Sequence, residues 1–151
     1  MSIRSTTVRL ATALALAAGV ATAAHADDQA ALAAAAKEPG ATVTGSGLVF
    51  RSLSEGTGAS PKATDKVKVN YRGSFPDGTK FDASADHGGP ISFRLNEVIP
   101  CWTEGVQKLK VGGKAKLTCP SAIAYGPRGA GGTIPPNATL AFEVELVAIG
   151  R

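Results

Sequence analysis

The chain has 151 residues, 44% of them hydrophobic and 19% charged, which is a globular composition and not a disordered one. Its 16 Lys and Arg exceed its 12 Asp and Glu by four; Arg4 and Arg9 fall in an expected export segment, which leaves 14 against 12, or +2, too weak and scattered a balance for nucleic-acid binding. Eighteen Gly and nine Pro favour short strands, turns and loops over a helix bundle.

The N-terminus carries Arg4 and Arg9, an uncharged stretch from Leu10 to Val20, and then Ala24-His25-Ala26. This basic, apolar, small-x-small order predicts a secretory signal over residues 1–26, cleaved after Ala26. The 17 uncharged residues from Leu10 to Ala26 are Ala-rich and short beside the roughly 20 apolar residues of a membrane span. The expected location is therefore periplasmic or secreted, with no membrane span after cleavage. In that oxidising setting Cys101 and Cys119, the only cysteines, allow a single intramolecular disulfide, or else two buried thiols.

Residues 27–46 read as an Ala-rich tail, disordered or docked, in which Gln29 to Lys37 can form a short helix ended by Pro39-Gly40. From Gly47 the pattern becomes that of a domain extending to residue 151. Leu48, Phe50 and Leu53 suit a first strand, and Val67, Val69 and Tyr71, alternating with Lys66, Lys68 and Asn70, a half-buried second. Pro76-Asp77-Gly78 is a turn, followed by Phe81; His87 to Pro90 is a loop; Ile91, Phe93 and Leu95 alternate again. Pro100 opens a helix whose Trp102, Val106 and Leu109 share one face, with Lys108 and Lys110 near its end and Gly112-Gly113 as its stop. Ala115, Leu117 and Cys119 alternate with lysines, residues 125–136 form a loop, and Leu140, Phe142, Val144 and Leu146 face away from Glu143 and Glu145 on the last strand. About five strands joined by antiparallel connections and one helix make an α+β domain.

Reagents for several chemistries are scarce. His87 is the only histidine after residue 26, and no HExxH, CxxC or Walker-type motif occurs. No metal or other cofactor is expected. What the domain does have is aromatic side chains placed beside turns and element ends, which by themselves also suit an ordinary core.

Six runs carry a resemblance: Val69-Asn70-Tyr71-Arg72-Gly73; Asp77-Gly78-Thr79-Lys80-Phe81-Asp82; Val98-Ile99-Pro100-Cys101-Trp102-Thr103-Glu104-Gly105-Val106; Ala124-Tyr125-Gly126; Ile134-Pro135-Pro136-Asn137-Ala138-Thr139-Leu140; and Phe142-Glu143-Val144-Glu145-Leu146. In this order they resemble the FKBP-type peptidyl-prolyl cis/trans isomerases, from about Gly47 to Arg151. The resemblance implies a strongly twisted antiparallel sheet wrapped around one short helix, with an apolar cleft between them. Trp102 would form its floor, Tyr71, Phe81, Ile91 and Phe142 its walls, and Val98 and Ile99 one side, with the Ile99 N–H donating to a bound carbonyl. Asp82, Tyr125 and Tyr71 would be the catalytic polar groups, Tyr125 offering its hydroxyl and Asp82 orienting Tyr71 or acting on the twisting amide. Cys101 departs from the glycine common in the family, Ile91 from an aromatic found in some members, and the 127–133 loop is smaller than usual.

The implied function is isomerisation of X–Pro bonds in exported polypeptides, assisting their folding. Ligands would be proline-containing chains and macrolides of the FK506/rapamycin type, and the chain, with only a short segment before the domain, is expected to be a monomer. The alternatives are a proline-peptide-binding chaperone or assembly module without turnover, and a small domain whose aromatics are all core.

Overall fold

The structure, a computed structural model, describes residues 20–150, with side chains from Asp28 onward. The expected export segment therefore lies for the most part outside the described residues. Among the described residues no helix is long and apolar enough to cross a membrane.

The elements in chain order are α1 (Val20–Ala36), β1 (Ala41–Val43), β2 (Val49–Ser54), β3 (Lys66–Ser74), β4 (Lys80–Ala83), β5 (Ile91–Arg94), α2 (Pro100–Val106), β6 (Lys114–Cys119) and β7 (Leu140–Gly150). Single 3-10 turns occupy Ser84–His87, Leu95–Glu97, Ser121–Ile123 and Gly126–Arg128. The seven strands form one antiparallel sheet of order β1-β2-β6-β7-β3-β4, with β5 also paired to β3.

The alternation read from the sequence decides which sheet face is buried. Val67 and Val69 of β3, Ala115 and Leu117 of β6, and Leu140, Phe142, Val144 and Leu146 of β7 all turn to the core, where Trp102, Val106 and Leu109 meet them. Leu48, Leu95, Leu117, Leu140 and Leu146 are fully buried. Burying such a side chain contributes roughly 1.5–3 kcal/mol relative to leaving it in water, so this one apolar seam between α2 and the sheet is the main source of stability.

Two expectations need correction. The sheet has seven strands and not about five: β1 and β4, of three and four residues, are too short to display a period. Helix α2 has only seven residues and ends at Val106, and the chain tightens so that Lys108 N–H donates to Gly105 O at 3.1 Å and Leu109 N–H to Val106 O at 3.1 Å. Leu109 is buried all the same, delivered by that turn and not by a further helical turn. In addition, the described part of the segment 27–46, read as a tail either disordered or docked, packs against the sheet. Its β1 pairs with β2, with Thr42 opposite Phe50, so the sheet begins at Ala41 and a second helix, α1, leads into it.

Side-chain contacts explain this docking. Ala35 is buried. Glu38 accepts from Arg51 Nη1 at 3.0 Å and from Lys116 Nζ at 2.9 Å, while Arg51 Nε donates to Pro39 O at 3.0 Å. The Lys116 hydrogen bond, set against partial burial, holds the Glu38 carboxyl below its ordinary range. Further on, Ser46 Oγ donates to Glu104 Oε2 at 2.7 Å and Thr44 Oγ1 donates to Glu104 Oε1, tying this segment to α2.

Candidate functional site: an aromatic cleft at a split in the sheet

The site begins with an interruption. Strand β3 pairs with β5 over Lys66–Val69 and with β4 over Arg72–Ser74, so its partner changes between Val69 and Arg72. At the break Tyr71 N–H has no strand acceptor on that side. It donates instead to the buried Ser84 Oγ at 3.0 Å, and Ser84 Oγ in turn can donate to Tyr71 O at 3.3 Å. A hydroxyl thus completes the ladder where the sheet splits.

Opposite the split, Ile99 caps α2 and Pro100 occupies its first turn, where the missing N–H costs nothing. Trp102 N–H and Thr103 N–H both donate to Ile99 O, at 3.0 and 3.2 Å, and Thr103 Oγ1 donates to Leu95 O at 2.7 Å. These bonds fix the start of α2, and with it Trp102, against the turn that follows β5. Among the described residues the Ile99 N–H donates to no hydrogen bond.

Trp102 is the hub of the aromatics. Its ring centroid lies 5.1 Å from that of Tyr71, 5.5 Å from Phe93 and 5.2 Å from Phe142, the Tyr71 and Phe142 contacts being edge-to-face. Phe142 meets Phe81 edge-on at 5.6 Å, and Phe81 meets Phe75 at 5.0 Å. Such pairs contribute about 0.5–1.5 kcal/mol each beyond area burial and hold one another in register. Gly73 makes the packing possible: a Cβ there would sit 2.5 Å from Phe81 Cζ and 2.9 Å from Phe142 Cε1. Trp102 Nε1 is buried and has no hydrogen-bond partner among the described residues.

The resulting cleft has a volume of about 430 Å³. All nine residues expected to bind substrate line it: Tyr71 from β3, Phe81 and Asp82 from β4, Ile91 from β5, Val98 and Ile99 from the approach to α2, Trp102 from α2, Tyr125 from the loop before Gly126, and Phe142 from β7. Phe93, Ser92 and Glu97 line it as well. Phe93 lies two residues from Ile91 on an alternating strand, which is the sequence signal that both share a face.

One polar group is held with particular care. Asp82 Oδ2 accepts the Tyr71 hydroxyl at 2.6 Å; Asp82 Oδ1 accepts Ala83 N–H at 2.9 Å and lies 2.7 Å from His87 Nε2. Partial burial pushes the Asp82 carboxyl up, but the bonds from Tyr71, His87 and Ala83 outweigh it and hold the group below the usual aspartate range. The Tyr71 phenol is driven well above its ordinary value, first by burial and then by its bond to the Asp82 charge. Tyr125 is also raised, by burial and then by the same charge. Both phenols are therefore neutral donors at neutral pH. His87, expected as a plain loop residue, belongs to this polar group through its contact with Asp82.

Beneath the cleft Cys101 and Cys119 are joined Sγ to Sγ, with Cα atoms 5.9 Å apart, and both are fully buried. Among the described residues no cluster of three or more His, Cys, Asp or Glu is arranged to hold a metal ion.

An apolar, aromatic-walled cleft between a short helix and a split antiparallel sheet defines a class, and comparison with known proteins identifies it. Residues 57–147 match the FKBP-type peptidyl-prolyl cis-trans isomerase domain, and the chain belongs to that family. It is 58% identical over 120 residues to the FKBP-type peptidyl-prolyl cis-trans isomerase FkpA of Aeromonas hydrophila, covering 80% of this chain and 44% of that protein. Against FkpA of Escherichia coli K12 the identity is 50% over 114 residues, covering 76% of this chain and 42% of that protein. The chain thus spans less than half the length of these relatives. Among solved structures, FkpA from Escherichia coli superposes with a TM-score of 0.82 at 45% identity, over 85% of this chain and 60% of that one. A peptidyl-prolyl cis-trans isomerase from Pseudomonas syringae pv. tomato superposes with a TM-score of 0.80 at 38% identity, over 89% of this chain and 98% of that one.

Proposed function

We propose that this domain catalyses cis/trans isomerisation of X–Pro bonds and assists the folding of exported polypeptides. The observation that carries the reading is the cleft itself: a Trp102 floor and Phe walls, with Tyr71, Asp82 and Tyr125 among its polar groups and, among the described residues, an Ile99 N–H that donates to no hydrogen bond. Rotation about a peptide bond faces a barrier of ~18–20 kcal/mol and needs neither nucleophile nor metal. The planar amide is charge-separated and well solvated, whereas the twisted form has lost that resonance. An apolar cleft disfavours the planar form relative to the twisted one, which is differential binding of the transition state. Each tenfold in rate needs only about 1.4 kcal/mol of such difference.

The proline ring would rest on Trp102 between Phe81 and Phe142. The Ile99 N–H and the Tyr125 hydroxyl would donate to backbone carbonyls of the bound chain. Both Asp82 oxygens are already engaged, one by Tyr71 and the other by Ala83 N–H and His87, which supports an orienting role for Asp82 rather than proton transfer. Tyr71 is then a wall fixed by that carboxylate.

The same reading places the protein in the periplasm or outside the cell, with residues 1–26 removed after Ala26. It further makes the domain a monomer that binds FK506- or rapamycin-type macrolides in the cleft. The test is a prolyl isomerisation assay on residues 27–151 beside Tyr125→Phe and Asp82→Ala, with folding checked by circular dichroism. Turnover that is blocked by a macrolide and falls in folded variants is the expected result. Peptide binding without turnover would replace catalysis by a holding role, and neither would leave the aromatics as core alone.

A further inference from the structure

His87 ends the 3-10 turn that follows β4, and its Nε2 lies 2.7 Å from Asp82 Oδ1, the carboxylate that lines the cleft and fixes Tyr71. The charged groups around it are few. Asp86 on the same turn is paired with Lys80 of β4 at 3.0 Å, Tyr71 occupies the other oxygen of Asp82, and Tyr125 and Glu97 face the cleft. The lining itself thus carries two acids, Asp82 and Glu97, and no Lys or Arg. His87 is the basic group that sits against it.

Resting on the isomerase reading above, we propose that His87 is a positioning and specificity-determining residue, whose charge sets which residue beside proline the cleft prefers. A cation at position 87 offsets Asp82, and an acidic residue next to proline is tolerated. A neutral side chain there leaves the Asp82 end of the cleft net negative, and a basic residue is favoured. Because the pair is partly solvent-exposed, the effect is modest, about two- to five-fold.

The measurement is the ratio of kcat/KM for two peptides that differ only in Glu or Lys before proline, compared at one pH among the wild type, His87→Arg and His87→Gln. A ratio cancels any loss of folded protein, so a merely structural role would not move it. The Glu-to-Lys ratio should be about two- to five-fold higher in His87→Arg than in His87→Gln. A ratio that is the same in the two variants overturns the proposal. The same ratio is read independently as peptide affinity from the fluorescence of Trp102, the chain's single tryptophan. Absence of turnover would overturn the isomerase reading while the affinity ratio still decides the role of His87.

Discussion

Breaking the Cys101–Cys119 bridge should cost the fold about 3 kcal/mol. The two cysteines are 18 residues apart. Constraining a loop of that length in the unfolded chain removes entropy equivalent to about 3 kcal/mol at 25 °C in the chain-entropy account. The closed loop is not peripheral: it runs from the first turn of α2, through the turn that delivers Leu109, to the end of β6. For a domain of this size, 3 kcal/mol corresponds to a fall in Tm of roughly 10 °C. The assay is urea or thermal unfolding of the wild type with and without reductant, beside a Cys101→Ala/Cys119→Ala variant. Reductant should lower the wild-type transition and leave the variant's unchanged. A wild-type transition that stays put after mass spectrometry has shown full reduction would refute the reasoning, as would free thiols titrating in the unfolded, unreduced protein.

Gly73→Ala should destabilise the domain by about 1–3 kcal/mol and weaken peptide binding together, because the new Cβ displaces Phe81 and Phe142; paired unfolding and binding curves check this. For Asp82, the depressed carboxyl contributes stability that is present above the ordinary aspartate range, near pH 3.9, and is lost as pH falls through the lower folded value. Asp82→Asn should therefore remove part of the acid-side loss of stability while leaving the neutral-to-alkaline side nearly parallel, measured as unfolding free energy against pH.

Much of this fold was legible because local pattern and final environment agree. Leu140, Phe142, Val144 and Leu146 alternate strictly, and a strand buried on one face is what they form. The cleft residues were legible through their motifs, which place aromatics at the ends of elements that later converge. What escaped depends on partners distant in sequence or on geometry with no period. Glu38 is anchored by Arg51, 13 residues away, and by Lys116, 78 residues away, and nothing local in 27–46 announces either. Strand β1 has only three residues and takes its structure from β2. His87 reaches Asp82 because a 3-10 turn folds the chain back over five residues, which composition does not reveal. Helix α2 stops early although its apolar spacing continues to Leu109, since a buried position can be filled from a turn as well as from a helix.

The place of β7 in the sheet bears on how the protein is made. Strands β1, β2 and β6 form one half-sheet and β3, β4 and β5 another, and no ladder joins the halves except through β7. That strand, residues 140–150, is the last of the seven in the chain. A polypeptide emerging N-terminus first therefore holds two unjoined fragments, each with an unsatisfied inner edge, until β7 arrives. Such dependence on pairings distant in sequence makes folding slow and cooperative. It also delays compaction: the cleft, which takes Phe142 from β7, is incomplete until that strand is in place.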